Sequence, residues 1–161
     1  WSVDQKEHPV MILIPGNQVT YREADKDFNR LNHFKVEEAG EKVAILALGD
    51  FYQRGEQLSA KIKAELGFTP TLINPRFASG IDKELLESLS ERHQMVITME
   101  DGILSGGFGE KIASFYGSSD MKVKNYGLEK KFYDRYDPNE LLKEVGMTPA
   151  QIIADICNQI K

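Results

Sequence analysis

The residues most able to do chemistry lie in "MVITMEDGILSGGFGEK", residues 95–111, where Glu100 and Asp101 close an apolar run and Gly102, Gly106, Gly107 and Gly109 follow. A glycine cluster opening a helix offers unpaired N–H groups to an anion, and two acids at a strand end could act as an acid/base pair. The dinucleotide fingerprint needs G-x-G-x-x-G after the first strand of a βαβ unit, and the spacing here does not fit it. Two carboxylates beside a phosphate also repel it unless a metal intervenes. Close packing of the helix on a sheet, or a subunit contact, is therefore the expected role of Gly106, Gly107 and Gly109. Adjacent strand residues point to opposite faces, so Glu100 and Asp101 need not share a site, and capping or ion pairing is expected of them.

Arg76, in "NPRF", follows a strand, where its fork could hold a carboxylate or phosphate. An ion pair that fixes its loop is the simpler expectation. His8, His33 and His93 lie in separate segments without metal-ligand spacing, and are expected at the surface or a strand edge. Cys157 shares a helical stripe with Ile152, Ile153, Ile156 and Ile160 and is expected to be a core thiol. Serine elbows, P-loops and zinc spacings are absent from the sequence, and "EKKFYDRYD" reads as a solvated connection. By motif alone there is an architecture and no catalytic constellation.

The elements that would position these residues follow from pattern. "HPVMILIPG" (8–16) reads as a strand buried on both faces, and the polar stretch after it as a connector. "HFKVEEAG" reads as a short strand and "KVAILALGD" (42–50) as an apolar one, followed by a helix on Leu58, Ile62 and Leu66 with Asp50 as cap. "TPTLINPRF" (69–77) gives a strand, Asp82 caps a short helix, 93–100 is a strand, the glycine cluster opens a helix to about Tyr116, and 120–127 is the last strand. Two helices close the chain, announced by the capping boxes "DPNE" at Asp137 and "TPAQ" at Thr148. Strands alternating with helices imply a mostly parallel sheet covered on both faces.

Length and charge set outer limits. At 161 residues one α/β domain with a trailing arm fits better than two domains, and a net charge of -5 without a basic stripe argues against nucleic acid as partner. A single cysteine suggests a reducing compartment, the cytoplasm, and no run is long and apolar enough to span a bilayer. The start at Trp1 reads as a boundary within a longer protein.

The ordered landmarks "VAILALGD", "INPRFASGIDKELLESL", "HQMVITMEDGILSGGFGEKI" and "VKNYGLEKKFYDRYDPNELLKEVGMTPAQIIADI" resemble the C-terminal part of the 1-deoxy-D-xylulose-5-phosphate synthase family, transketolase-like thiamine diphosphate enzymes. The most specific matches are Arg76-Phe77 before Ile81-Asp82, the acids before Gly106-Gly107-x-Gly109, and Gly127-Leu128 before the capped helices. The resemblance implies a three-layer α/β/α domain around five strands, one antiparallel, with "HFKVEEAG" as that strand. It also implies residues 1–17 as the tail of a preceding pyrimidine-binding domain, 18–32 as a linker and 33–161 as the transketolase C-terminal-like domain. The family's thiamine diphosphate and magnesium lie between domains upstream, so no cofactor, metal or catalytic residue is expected in this chain. The implied partners are those missing domains and a second copy in a homodimer. The implied reaction of the whole protein joins pyruvate to glyceraldehyde 3-phosphate with loss of carbon dioxide, toward isoprenoid precursors. Where the family often reads Tyr-Pro-Arg-Gly, this chain has "IPGN" and lacks the arginine that helps hold substrate phosphate, which leaves the acceptor sugar open, and Ser79-Gly80 in place of a Lys-Pro imply a looser loop. The other readings are the same module of a transketolase or of a 2-oxo acid dehydrogenase beta subunit, and a stand-alone module for assembly or for binding an anion at the helix starts after Gly49 or Glu100.

Overall fold

A computed structural model describes residues 1–14, 28 and 30–160. The chain divides into two compact units, Trp1–Leu31 and Asn32–Lys161.

The second unit holds five strands in the order β1-β3-β2-β4-β5. β2 (Lys42–Ala47) and β4 (His93–Ile103) form the centre, β3 (Thr71–Asn74) and β5 (Lys122–Leu128) flank them in parallel, and β1 (Lys35–Glu38) runs antiparallel to β3 at one edge. The antiparallel direction follows from connection length. β1 reaches β2 through a turn of a few residues, too short for a crossover, and then pairs with the far side of β3.

The apolar runs that predicted buried strands work through the two-residue alternation of β structure. In β2, Val43, Ile45 and Ala47 face one layer with Leu58 and Ile62 of α1 (Tyr52–Leu66) and Ile152 and Ile156 of α5 (Pro149–Gln159). Ala44 and Leu46 face the other, with Leu86 of α2 (Lys83–Leu89) and Phe108 and Ile112 of α3 (Phe108–Tyr116). Two apolar clusters therefore sandwich one sheet, the three-layer α/β/α arrangement. Gly55 lets α1 approach closely, since a Cβ there would stand 2.6 Å from the Ala47 Cβ.

Helix starts hold several differences from the pattern reading. Asp82 caps α2 by accepting from the Leu85 N–H at 3.1 Å. Thr148 and Gln151 form the reciprocal box at α5. At α4 (Pro138–Glu144), Asp137 accepts from Asn139 and Glu140, but the Glu140 carboxylate takes Lys143 Nζ at 2.8 Å instead of closing the box. Asp50 does not cap α1. A 3-10 turn at Gly49–Phe51 intervenes, Gly49 adopts φ +60°, and the helix starts after Phe51 without a side-chain cap.

Three further expectations are corrected. β3 ends at Asn74, because Pro75 lacks an N–H and Arg76 turns the chain with φ +61°. Cys157 is exposed, since the buried stripe of α5 is Ile152, Ile153 and Ile156 and one residue further turns out of the core. Residues 10–14, expected as a buried strand, pair with no strand and are exposed, from 38% at Val10 to 86% at Met11. A strand is buried only by neighbours on its edges and faces, and the described residues supply none for this segment. The end of that run at Pro15-Gly16, the "IPGN" departure and most of the 18–32 stretch lie outside the described residues.

Candidate functional site

The candidate residues gather at the carboxyl ends of the central strands, where open α/β sheets present their loops. Glu100 lies on β4 and is 5% exposed, whereas Asp101 next to it is exposed. The Glu100 carboxylate accepts from the Phe108 N–H at 2.9 Å and the Gly109 N–H at 2.8 Å, the first two amides of α3. The N-cap residue Gly107 has no side chain to do this, so a carboxylate from the sheet, seven residues upstream, supplies the negative charge that the helix dipole favours. A phosphate at this helix end would have to displace it.

The glycines explain how Glu100 fits. A Cβ on Gly107 would stand 2.6 Å from the Ile103 carbonyl oxygen and 2.7 Å from Glu100 Oε1. A Cβ on Gly109 would stand 2.5 Å from Thr98 Oγ1 and 2.7 Å from the Asn125 Cγ, two side chains joined by a 2.8 Å hydrogen bond inside the sheet. Gly106 turns the chain with φ +78° in open space, and its N–H donates to Glu110 at 2.6 Å. Each glycine thus has a geometric reason tied to seating α3.

The second cluster is formed by the loop between β3 and α2. Arg76 donates from Nε at 3.1 Å and Nη2 at 2.7 Å to the carbonyl oxygen of His33, so the fork expected to hold an anion or a carboxylate grips backbone just before β1. Asp82, 6% exposed, accepts from the Phe34 N–H at 2.9 Å and from His33 Nδ1 at 2.8 Å besides capping α2. The His33 part could not be read from sequence, because the two residues are brought together only by the antiparallel placement of β1 beside β3. His93 was likewise anticipated only as a surface or edge residue. Its Nδ1 donates to the Leu89 carbonyl at 2.9 Å, which leaves Nε2 to accept from the Thr71 hydroxyl at 2.7 Å. Burial is the main cause that lowers its pKa, with Arg92 adding to the effect while the Leu89 carbonyl and Glu41 oppose it. Burial also raises the Tyr116 phenol, whose hydroxyl donates to the Leu86 carbonyl at 2.8 Å.

A surface depression of about 630 Å³ lies between the two clusters, lined by Gly80, Ile81, Gly106, Gly107, Glu110 and Lys111. Lys111 Nζ donates to the Ala78 carbonyl at 2.9 Å, and Glu110 is bonded to Gly106. Ser114 completes the lining from the same helix as Glu110 and Lys111. Among the described residues, no three His, Cys, Asp or Glu side chains are placed to hold a metal ion, and no buried side-chain polar atom lacks a partner. With the α3 amides taken by Glu100, these residues do not fit a diphosphate and its metal.

Comparison with known proteins agrees with the geometry. Residues 32–152 match the family described as transketolase, C-terminal domain. The 1-deoxy-D-xylulose-5-phosphate synthase of Shouchella clausii (strain KSM-K16) is 32% identical over 148 residues, which cover 89% of this chain and 23% of that protein. The synthase of Prochlorococcus marinus (strain MIT 9211) is 28% identical over 157 residues, 94% of this chain and 24% of that protein. This chain therefore spans about a quarter of the length of these relatives. A solved split-gene transketolase, described as an inactive beta4 tetramer, superimposes with a TM-score of 0.69 at 23% identity, over 80% of this chain and 42% of that one. The match over residues 32–152, three quarters of the chain, leads to one conclusion: the chain belongs to the transketolase C-terminal domain family.

Proposed function

We propose that this chain is the C-terminal domain of a longer thiamine diphosphate-dependent transferase of the cytoplasm, a 1-deoxy-D-xylulose-5-phosphate synthase that joins pyruvate to glyceraldehyde 3-phosphate and releases carbon dioxide. The observation that carries this reading is the likeness to synthases over 89% of this chain, set against coverage of only 23% of the relative's length. In this reading the cofactor and its magnesium are held by the upstream domains, and thiamine diphosphate supplies the carbanion chemistry when bound there. The chain alone is inactive and contributes to a homodimer and to the surroundings of the site. Arg76, Asp82, Glu100, Gly106, Gly107 and Gly109 are framework in this reading, supported by the bonds of Arg76 to the His33 carbonyl, of Asp82 and Glu100 to helix-start amides, and by the close approaches at Gly107 and Gly109. Residues 1–17 belong to the preceding domain, 18–32 form the linker, and the exposed apolar segment at 10–14 is covered by that domain in the full protein.

The test is expression of the longest reading frame that contains this chain, with carbon dioxide release from pyruvate measured with and without thiamine diphosphate, magnesium and glyceraldehyde 3-phosphate. Release that needs all four components supports the synthase. A frame that begins near Trp1 and releases none would overturn it and leave an assembly module.

A further inference from the structure

The loop between β3 and α2 makes more contacts with the entry of the chain into the domain than a connection requires. Four of its residues reach back to three consecutive residues, Asn32, His33 and Phe34, just before β1. Arg76 binds the His33 carbonyl with two nitrogens, at 3.1 and 2.7 Å. Asp82 accepts the Phe34 N–H and the His33 imidazole, at 2.9 and 2.8 Å. Ser79 Oγ donates to Asn32 Oδ1 at 2.7 Å, and Gly80 lies so close that an added Cβ would meet the Asn32 amide group at 2.4 Å. Backbone conformation points the same way. Arg76 and Asn32 both take the left-handed region, φ +61° and +58°, which is uncommon for an arginine and is held only where the surroundings demand it. Phe34 completes the anchor as a buried ring, 5.9 Å from the Phe108 ring of α3.

We propose that this loop is a clasp on the chain at its point of entry, fixing the direction in which the residues before Asn32 leave the domain. The Asn32 side chain, the His33 carbonyl and ring and the Phe34 N–H are held together, which restricts pivoting of the chain at its entry. Asp82 serves both the clasp and the α2 cap. Arg76 and Ser79 leave that cap untouched, so they are the positions at which the clasp can be opened while the helix stays formed.

The experiment uses the whole chain with one spin label at Leu31→Cys and a second at the native, exposed Cys157. Distance distributions are compared for the parent, Arg76→Met and Ser79→Ala, alongside amide exchange at residues 33–37 and in β2 and β4. The expected result is a broadened distribution in both variants, larger in Arg76→Met, with exchange accelerated severalfold at 33–37 and unchanged in β2 and β4. A distribution of unchanged width in both folded variants overturns the clasp, and so does acceleration spread equally over β2 and β4, which would mean that these contacts only stabilise the fold. Ser79→Ala removes a single hydroxyl and keeps the test valid if Arg76→Met does not fold. None of these readouts depends on catalysis, so failure here is distinct from failure of the synthase reading.

Discussion

Replacing Glu100 with glutamine tests the central feature of the site. The carboxylate accepts two backbone N–H groups at 2.9 and 2.8 Å while 5% exposed. Glutamine keeps the volume and one acceptor, but its amide nitrogen must face one of the two donors. One N–H of α3 is then left buried and unpaired, at a cost of about 1–3 kcal/mol. The lost charge at a partly buried helix start adds about 0.3–1 kcal/mol, up to ~2 in favourable geometry. These effects overlap, so Glu100→Gln is expected to destabilise the chain by about 1–4 kcal/mol, or roughly 3–15 °C in melting temperature for a domain of this size. Urea unfolding followed by circular dichroism gives the difference directly, with the exposed neighbour variant Asp101→Asn expected within about 0.5 kcal/mol of the parent. A Glu100→Gln midpoint equal to the parent's, with unchanged slope, would refute the reasoning. So would stabilisation of the parent that saturates at low millimolar phosphate, because only a bound anion saturates, whereas stabilisation by exclusion from the surface grows steadily with concentration.

The remaining predictions concern four other positions. Gly109→Ala is expected to cost about 1–3 kcal/mol by urea unfolding, because its Cβ would stand 2.5 Å from Thr98 Oγ1; Gly106→Ala, in open space at φ +78°, should cost about 1–2 kcal/mol from backbone strain alone. His93 is held neutral by burial, with its folded pKa below the ordinary value of 6.5. The unfolded chain therefore binds the proton more readily, and the stability from a neutral His93 is present above that value and lost as pH falls below it. Urea midpoints should fall as pH drops from 7 through 6 and below, and His93→Gln should flatten that part of the profile. Cys157 should react with a thiol reagent in the native state at the rate of an exposed thiol, without waiting for unfolding; slow reaction limited by opening would contradict its exposed position.

What the sequence determined by itself is local or periodic. Val43 to Ala47 announced a strand buried on both faces because every residue is apolar, and Asp82, Asp137 and Thr148 announced helix starts because capping acts over three residues. The order of landmarks carried the family, and with it the antiparallel strand that periodicity could not show. The glycine cluster also showed its charge conflict with phosphate, since Glu100 and Asp101 adjoin it in the chain.

Tertiary structure decided the rest, because the deciding contacts are long in sequence and short in space. Whether Glu100 or Asp101 faces α3 depended on which face of β4 the helix covers, that of Val96 and Thr98, which turns one carboxylate inward and leaves the other exposed. Arg76 was expected to fix its loop, but its backbone partner, the His33 carbonyl, came within reach of the fork only once β1 was set beside β3. Cys157 moved out of the core by a single helical step, a rotation that a stripe of isoleucines cannot resolve. The apolar run at 10–14 carries every strand signal, yet burial depends on what stands beside a strand, and that is a property of its neighbours rather than of its own residues.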